Sequence, residues 1–331
     1  MELQTVQGAR EGGGVGAPLS AREPVVRALI RLARPQQWTK SAFVLIGPVY
    51  AWANNYDIHW VSVAGVVLAF SLASSACYVV NDIQDREADR AHPRKRNRPI
   101  ASGAVPVSSA VLFAGALFIG AAASLVLVPF GGGSPSDLAW VTGALGVYVL
   151  NTLAYSLALK RAIVLDVVSL AAGFVLRVLG GCAAAGVQPT TWLLNCTFFV
   201  AMFLAFGKRL GERRTSGDAA SVRSVQSTYT DELLRMSVVV TAVAALVSYA
   251  FYVQEHEDKF RAGFNLLWLT ILPATYGLLR CIVLMERGEY DDPTELAAHD
   301  WPFQLSALAF AGITLVLALL SKSQILGMEA G

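Results

Sequence analysis

Three aspartates with helical spacing form the clearest chemical pattern in this sequence. Asp82, Asp85 and Asp89 are spaced i, i+3 and i+7, so they share one face of a helix. Carboxylates that face the same way repel one another unless a cation lies between them. Mg²⁺ prefers hard oxygen ligands, with water and substrate phosphate completing its shell. The pattern therefore predicts a magnesium site on these three aspartates, with Asn81 orienting the set.

A strongly basic stretch follows the aspartates. It begins at Arg86 and continues through Arg94, Lys95 and Arg98. Carboxylates that hold a metal, followed by cations that hold phosphate, make the arrangement that a metal–diphosphate requires. The alternative is a solvated acidic turn at a membrane edge, followed by basic residues that only set topology.

The composition indicates a protein that lies in a bilayer. Of the 331 residues, 55% are hydrophobic and only 15% are charged, against roughly 25% charged in soluble domains. Backbone groups in lipid must pair within their own segment, so the spans are expected to be helices and the fold all-α. Nine stretches approach the required length of about 20 apolar residues. They run near 41–56, 58–80, 107–129, 137–159, 162–186, 191–207, 236–255, 263–286 and 302–320.

The loops alternate in charge, which predicts their orientation. Lys and Arg concentrate before the first span and after the second, fourth and sixth spans, and this side is expected to be the cytoplasm. The C-terminus would then lie outside. Three regions are predicted: a disordered tail at 1–21, an amphipathic helix at 22–35 lying in the membrane interface, and a membrane domain at 36–331. In the amphipathic helix, Val26, Leu29, Ile30 and Ala33 would face the membrane, and Arg27, Arg31 and Arg34 would face away.

Other polar residues are expected at the same cytoplasmic mouth. Asp166 and Arg177 are eleven residues apart, about three helical turns, so they share a face. Ionisable residues inside a span usually face a cavity, although an interhelical pair is the structural alternative. Glycines 173, 180 and 181 are expected to allow close helix packing rather than to bind a ligand. The remaining candidates flank the spans: Lys40, Asn151, Tyr155, Lys160, Arg161, Lys208, Arg209, Glu212 and Arg213.

The pattern NDxxDxxxD at 81–89, after the second of nine spans, resembles the UbiA superfamily of intramembrane prenyltransferases. Ordinary members carry a second acidic motif, DxxxD, after the sixth span, where this chain has KRLGER at 208–213. The chain also has RPQQWTK at 34–40 and YSLALKR at 155–161, followed by Asp166. This set resembles the phosphoribosyltransferase branch of the superfamily, which acts on decaprenyl phosphate.

The resemblance implies a fold and a reaction. The fold would be a UbiA-type helical bundle with a polar cytoplasmic cap, in the bacterial inner membrane. The donor would be phosphoribosyl pyrophosphate, the acceptor a polyprenyl phosphate, the cofactor Mg²⁺ and the product a precursor for cell-wall arabinan. Catalytic roles would fall to Asp82, Asp85, Asp89, Asp166, Tyr155 and Lys160. Substrate would be bound by Lys40, Asn81, Arg86, Arg94, Lys95, Arg98, Arg161, Arg177, Lys208, Arg209, Glu212 and Arg213.

Two rival functions stay open. One is a prenyltransferase that moves a prenyl group from a prenyl diphosphate to an aromatic acceptor, against which the missing second acidic motif argues. The other is a transporter, which would carry charges near the bilayer midplane and paired broken helices. Zinc and nucleic acid are not expected as partners, membrane lipids are, and a homo-oligomer stays open.

Overall fold

The computed structural model describes residues 24–53, 56–93, 95–216, 229–287 and 299–322, and these are mostly helical. In chain order the α-helices are α1 (Val25–Ala33), α2 (Ile46–Ala53), α3 (Trp60–Gln84), α4 (Arg86–Ala91), α5 (Val107–Ser124), α6 (Leu127–Phe130), α7 (Pro135–Leu157), α8 (Leu165–Ala184), α9 (Thr191–Ser216), α10 (Asp231–Glu255), α11 (Ile271–Arg287) and α12 (Trp301–Lys322). Short 3₁₀ helices cover Pro35–Leu45, Leu159–Arg161, Glu257–Lys259 and Leu266–Thr270.

Within the described residues, eight helical stretches are long and apolar enough to cross a membrane. They correspond to the second to ninth predicted spans. The sixth span is longer than the predicted 191–207, because the apolar helix continues to Arg213. The eight stretches are Trp60–Gln84, Val107–Phe130, Pro135–Leu157, Leu165–Ala184, Thr191–Arg213, Asp231–Glu255, Leu266–Arg287 and Trp301–Ser321.

The first predicted span, 41–56, is not a uniform α-helix. A 3₁₀ helix runs over Pro35–Leu45 and changes into α2 at Ile46. Pro48 has no N–H, so it cannot donate an α-helical hydrogen bond to the carbonyl of Val44. The change of helix type therefore falls where proline removes a donor.

Glycines bring this first segment close to α8. A Cβ placed on Gly181 would lie 1.8 Å from the carbonyl oxygen of Val44, and one on Gly47 would lie 2.2 Å from Cys182 Sγ. A Cβ on Gly180 would meet the Phe70 ring at 2.6 Å. The close-packing prediction is confirmed for Gly180 and Gly181. It is wrong for Gly173, where a Cβ would make only ordinary contacts.

Two apolar cores lie on either side of α8. In the first, Phe70 of α3 packs with Tyr148 of α7, at 5.2 Å between ring centroids. The second joins α9, α10 and α11 through residues such as Phe203, Leu234 and Leu284. Because α8 contacts both α7 and α9, it connects the two halves of the bundle.

Helix α1 packs against α3 through Ala28 and Leu32, which are buried beside Val79. Val26 and Ile30, which were predicted to face the membrane, are exposed, so the structure agrees with this part of the prediction. Ala33 was predicted on the same face but is buried. The position of this helix in the membrane interface stays a prediction, and the tail at 1–21 lies outside the described residues.

A small hairpin departs from the expected all-α fold. Strands β1 (Arg261–Ala262) and β2 (Phe264–Asn265) pair in antiparallel register in the connection between α10 and α11. Gly263 joins them with a φ of 75°, a conformation that glycine adopts at little steric cost.

Candidate active site

A polar cavity of about 450 Å³ opens at one end of the bundle. It lies between the C-terminal ends of α3 and α7, the first half of α8 and the 3₁₀ helix at 35–45. Seven Lys or Arg side chains and two carboxylates line it among the described residues, so its charge suits a polyanion. Eleven of the predicted site residues line this cavity: Lys40, Asn81, Asp85, Asp89, Lys95, Arg98, Asn151, Tyr155, Lys160, Arg161 and Arg177.

Asp82 lies behind the cavity wall. Its side chain is 2% exposed and accepts hydrogen bonds from Arg34 Nη2 at 2.6 and 2.9 Å and from Arg98 Nη1 at 3.1 Å. Arg34 has left-handed backbone angles after α1, which turn its side chain back toward α3. Asp82 thus holds two arginines together and does not line the cavity among the described residues, and its role as a metal ligand stays a prediction.

Asp85 and Asp89 are the two carboxylates that line the cavity. Asp85 lies in the turn between α3 and α4 and accepts hydrogen bonds from Lys160 Nζ at 2.9 and 3.1 Å. Asp89 accepts from Arg98 Nη1 at 2.7 Å, so Arg98 bridges Asp82 and Asp89. The three aspartates therefore do not share one set of partners, since Asp82 and Asp89 both contact Arg98 whereas Asp85 pairs with Lys160. Their joint role as metal ligands stays a prediction.

The donor set fits a magnesium ion that is shared with substrate better than a closed cage. No group of three or more His, Cys, Asp and Glu side chains able to hold a metal occurs in the described part of the chain. Mg²⁺ commonly takes one or two carboxylates and completes its shell with substrate phosphate and water. Asp85 and Asp89 can supply those two carboxylates on the cavity wall.

Two hydrogen bonds to α3 hold the residues on either side of Lys40. Trp38 Nε1 donates to Ser75 Oγ at 3.0 Å, and Ser71 Oγ donates to Ser41 Oγ at 2.9 Å. Both hydrogen bonds lie within two residues of Lys40, so they fix the 3₁₀ helix that presents this cation to the cavity.

On the opposite wall, α7 and α8 present amide and hydroxyl groups. Asn151 donates to the Ser169 carbonyl at 2.9 Å and accepts from the Ser169 hydroxyl at 2.9 Å. Tyr155 lies one turn later on the same face, as its spacing predicted, and accepts a long hydrogen bond of 3.4 Å from Arg209 Nη2. These contacts fix both helices beside the cavity.

Asp166 lies in a separate buried network and does not line the cavity. Its carboxylate is 1% exposed and accepts from Arg209 at 2.9 and 3.0 Å and from the Tyr229 hydroxyl at 2.7 Å. Tyr229 in turn accepts from the N–H of Val164, whose φ is 68°. Burial, together with the hydrogen bond to Asp166, raises the pKa of Tyr229 to about 12. Asp166 therefore orders the loop before α8, and a direct catalytic contact is not supported.

The cations after the sixth predicted span do not reach the cavity either. Arg209 is buried against Asp166, and Glu212 lies 3.7 Å from Arg209. Arg213 pairs with Asp231 and donates to the Tyr229 carbonyl, and Lys208 is exposed. In the structure these contacts attach α9 to α10, and the binding of substrate by Lys208, Arg209, Glu212 and Arg213 stays a prediction.

Two remaining predictions concern the basic stretch after the aspartates. Arg86 lies 3.4 Å from Glu87 on the surface and does not line the cavity. Arg94 lies outside the described residues. Lys95 and Arg98 do line the cavity, so only part of this stretch is placed at the site.

Arg177 enters the cavity deep in α8. It is 4% exposed, and its Nη atoms donate to the Gly173 carbonyl at 3.0 Å and the Tyr148 hydroxyl at 2.8 Å. Its guanidinium lies 4.5 Å from the Tyr148 ring centroid and 5.5 Å from that of Phe174. Arg177 does not pair with Asp166, although the two residues were predicted to share a helix face. Arg177 lines the polar cavity, whereas Asp166 pairs with Arg209 and Tyr229.

Sequence reasoning missed several residues that the fold brings to the site. Arg34 was predicted only to face away from the membrane; it lines the cavity, and its guanidinium lies 5.0 Å from the Tyr78 ring centroid. His92 also lines the cavity. The sequence pointed to Arg34 only as the first residue of RPQQWTK at 34–40. Nothing in that motif showed that Arg34, unlike the other arginines of α1, would reach the site.

Comparisons with known proteins support the resemblance found in the sequence. The model of the UbiA prenyltransferase family matches residues 41–308. The decaprenyl-phosphate phosphoribosyltransferase of Mycolicibacterium smegmatis is 35% identical over 303 residues, covering 87% of this chain and 91% of that protein. The protein of the same name from Mycobacterium tuberculosis is 32% identical, covering 86% and 92%.

The fold also matches solved structures. A UbiA homologue from Archaeoglobus fulgidus, bound to GPP and Mg²⁺, superposes with a TM-score of 0.62 at 16% identity, covering 89% of this chain and 98% of that one. At this identity the match identifies the fold alone, and the predicted bundle type is confirmed.

Proposed function

Because the chain belongs to the UbiA prenyltransferase family, we propose that it transfers a 5-phosphoribosyl group from phosphoribosyl pyrophosphate to a polyprenyl phosphate and releases pyrophosphate. The chain is an integral membrane protein with eight candidate spans in its described part. Relatives that cover most of its length are named decaprenyl-phosphate phosphoribosyltransferase. The product would be a precursor for cell-wall arabinan.

The observation that carries this proposal is the charge of the cavity. Seven cations face two carboxylates among the described lining residues. The donor brings a diphosphate and a 5-phosphate, and the acceptor brings another phosphate. Arginine binds such groups through paired hydrogen bonds, so an excess of cations suits three phosphate-bearing groups in one space.

Asp85 and Asp89 would hold Mg²⁺ together with diphosphate oxygens of the donor. When bound, the ion would neutralise charge on the departing pyrophosphate. Lys160 and Arg98, which pair with these carboxylates in the structure, lie where they can turn to phosphate oxygens instead. Asp82 would keep Arg34 and Arg98 in place during this exchange.

The chemical step needs cations more than a base. A bond forms between an oxygen of the lipid phosphate and C1 of the ribosyl group, and the bond from C1 to the diphosphate oxygen breaks. The lipid phosphate is already anionic near neutral pH, so no side chain has to remove a proton. Lys40, Lys95 and Arg161 would share the phosphate oxygens of the two substrates.

The orientation follows from charge and length. The segment Pro35–Ala53 is continuously helical, and 3₁₀ and α-helical rises give it roughly 34 Å, enough to cross the hydrocarbon core. Together with the eight stretches given above, this segment would make nine membrane crossings, of which it is the first along the chain. The cavity would then open to the cytoplasm, where basic loops concentrate, and the C-terminal end of α12 would lie outside.

Competing substrates test the proposal. Purified protein in detergent would receive Mg²⁺ with either phosphoribosyl pyrophosphate and decaprenyl phosphate, or geranyl diphosphate and 4-hydroxybenzoate. We expect lipid-linked product from the first pair alone. Product from the second pair alone would replace the proposal with aromatic prenylation.

A further inference from the structure

We propose that Arg177 binds the phosphate of the lipid acceptor, and that Phe43 and Phe174 mark where the lipid chain passes into a second, apolar cavity. This inference rests on the proposed function and assigns one of its substrate groups to a place in the fold. Among the described residues that line the polar cavity, Arg177 is the one buried cation that contacts the aromatic pair beside the apolar cavity.

Arg177 carries a charge that the described residues leave uncompensated. Its two hydrogen bonds go to a carbonyl and a hydroxyl, and no carboxylate among the described residues pairs with it. Its Nε–H is buried without a hydrogen-bond partner. An arginine stays charged in proteins, and a buried cation without a counter-ion is costly. A bound anion would satisfy both the charge and the open donor.

The position of Arg177 separates it from the diphosphate site. It lies eleven residues after Asp166 on α8, which is roughly 16 Å along the helix axis. Asp85 and Asp89 lie beyond the end of α3, at the mouth of the bundle. An anion at Arg177 would therefore bind at the inner end of the cavity, below the donor diphosphate.

An apolar cavity of about 560 Å³ lies on the far side of an aromatic pair from Arg177. Phe43 lines this cavity, and the Phe43 ring lies edge-on to Phe174 with 4.7 Å between centroids. Phe174 lines the polar cavity and lies against Arg177. The aromatic pair therefore lies between the two cavities. The apolar one continues between α9, α10, α11 and α12, with Leu204, Leu246, Phe303 and Phe310 among its lining residues.

A phosphate monoester attached to a long apolar chain fits both cavities at once. Its phosphate would bind at Arg177 and its chain would occupy the apolar cavity. The 5-phosphate of the donor has the same chemistry but no chain, so it would leave the apolar cavity empty. Lipid phosphate at the inner end and pyrophosphate at the mouth would also place nucleophile and leaving group on opposite sides of C1.

Binding measurements with short probes test the assignment independently of transfer. Farnesyl phosphate, farnesol and phosphoribosyl pyrophosphate would each be titrated into the detergent-purified full chain, using wild type, Arg177→Gln and Arg177→Lys. We expect wild type to bind farnesyl phosphate roughly tenfold or more tightly than farnesol. Arg177→Gln should remove that preference, Arg177→Lys should restore part of it, and affinity for phosphoribosyl pyrophosphate should change less than about twofold.

Arg280→Gln serves as the matched control, since the Arg280 side chain pairs with Asp300 and lines neither of the two cavities. It should keep the preference for farnesyl phosphate. Phe174→Ala should weaken the binding of farnesyl phosphate and of farnesol alike, because it alters the path of the chain.

A preference for farnesyl phosphate that is retained in Arg177→Gln would overturn the proposal. A selective loss of phosphoribosyl pyrophosphate would assign Arg177 to the donor 5-phosphate instead. If wild type forms no phosphoribosyl lipid but the probe preference depends on Arg177, the proposed reaction fails and this assignment stands.

Discussion

Three aspartates of identical chemistry have three different surroundings in this protein. Asp82 is buried between Arg34 and Arg98, whereas the Asp85 side chain is 33% exposed and pairs only with Lys160. When a buried carboxylate loses its charge, its cationic partners are left uncompensated. When a partly exposed carboxylate does so, water can take its place as a partner of the cation. We therefore expect Asp82 to act mainly on folding and Asp85 on chemistry.

Asparagine substitutions should separate these two roles. Asp82→Asn is expected to lower the free energy of unfolding by about 3 kcal/mol, because the buried carboxylate that holds Arg34 and Arg98 together loses its charge. Asp85→Asn should change stability by less than about 1 kcal/mol and lower kcat/KM at least ~100-fold. Thermal unfolding and a transfer assay measure the two effects. Asp258→Asn, at an exposed position, controls for the substitution itself. Equal loss of stability in both variants would contradict the distinction.

Tyr229 gives the fold an alkaline limit. Its hydroxyl joins the Val164 N–H to Asp166, and its pKa is raised to about 12. An unfolded tyrosine ionises near pH 10. The stability contributed by the neutral hydroxyl is thus complete below pH 10 and is lost as the pH rises toward 12.

Tyr229→Phe is expected to lower stability by about 1–2 kcal/mol at neutral pH, since the buried Asp166 carboxylate and the Val164 N–H each lose a hydrogen bond. The difference from wild type should shrink between pH 10 and 12, as measured by thermal unfolding across that range. Tyr56→Phe, at an exposed position, provides the control. A difference that is constant with pH would show that the Tyr229 hydroxyl does not titrate with folding.

The residue-scale predictions succeeded where the signal was local. Spacing within 81–89 and 151–161 placed Asp85, Asp89, Tyr155 and Lys160 at one cavity. The partners of Asp166 could not be predicted in this way, because Arg209 and Tyr229 approach it from elements 43 and 63 residues away.

At the scale of elements, the contact between α8 and the 3₁₀ helix at 35–45 determines the shape of the site. Gly181 allows the Val44 carbonyl to approach α8. The same 3₁₀ helix carries Lys40 to the polar cavity and Phe43 to the apolar one. A side chain at Gly181 would separate the two elements.

Gly181→Ala is therefore expected to lower stability by at least about 2 kcal/mol and to reduce transfer activity, because its Cβ would overlap a backbone oxygen. Thermal unfolding and the transfer assay give the two readouts. Gly115→Ala in α5 is the matched control, since nothing lies within 4 Å of its added Cβ and alanine favours a helix. A fully stable and active Gly181→Ala would show that the two elements do not need this close approach.

Hydropathy predicted eight apolar helices to within several residues because each one presents a long apolar run to lipid. It did not predict the change of helix type at Ile46 or the β1–β2 hairpin. Those features depend on a missing proline donor, a close glycine contact and a positive φ, none of which alters the mean hydropathy of a segment.

On the scale of the whole molecule, charge is distributed unevenly between the two ends of the bundle. Asp85, Lys160 and Arg209 lie at or near the C-terminal ends of α3, α7 and α9, next to the basic loops that follow the second, fourth and sixth predicted spans. The proposed orientation places all of these loops in the cytoplasm. The opposite end of α12, near Ser321, would then face outward.

Single cysteines test that orientation in intact cells. Ser321→Cys is expected to react with a membrane-impermeant thiol reagent from outside, whereas Ser102→Cys should react only after permeabilisation. The parent chain is the control, because its four cysteines lie within helices of the bundle. The reverse labelling pattern would invert the proposed topology.

The most direct measurement of the central claim follows both halves of the donor in one reaction. Wild type would receive Mg²⁺, decaprenyl phosphate and phosphoribosyl pyrophosphate labelled with ¹⁴C in ribose and ³²P in the diphosphate. We predict equal amounts of ¹⁴C in the lipid phase and of free ³²P-pyrophosphate, both abolished by chelator and by Asp85→Asn. Ribose label that stays aqueous while wild type remains folded would contradict the account.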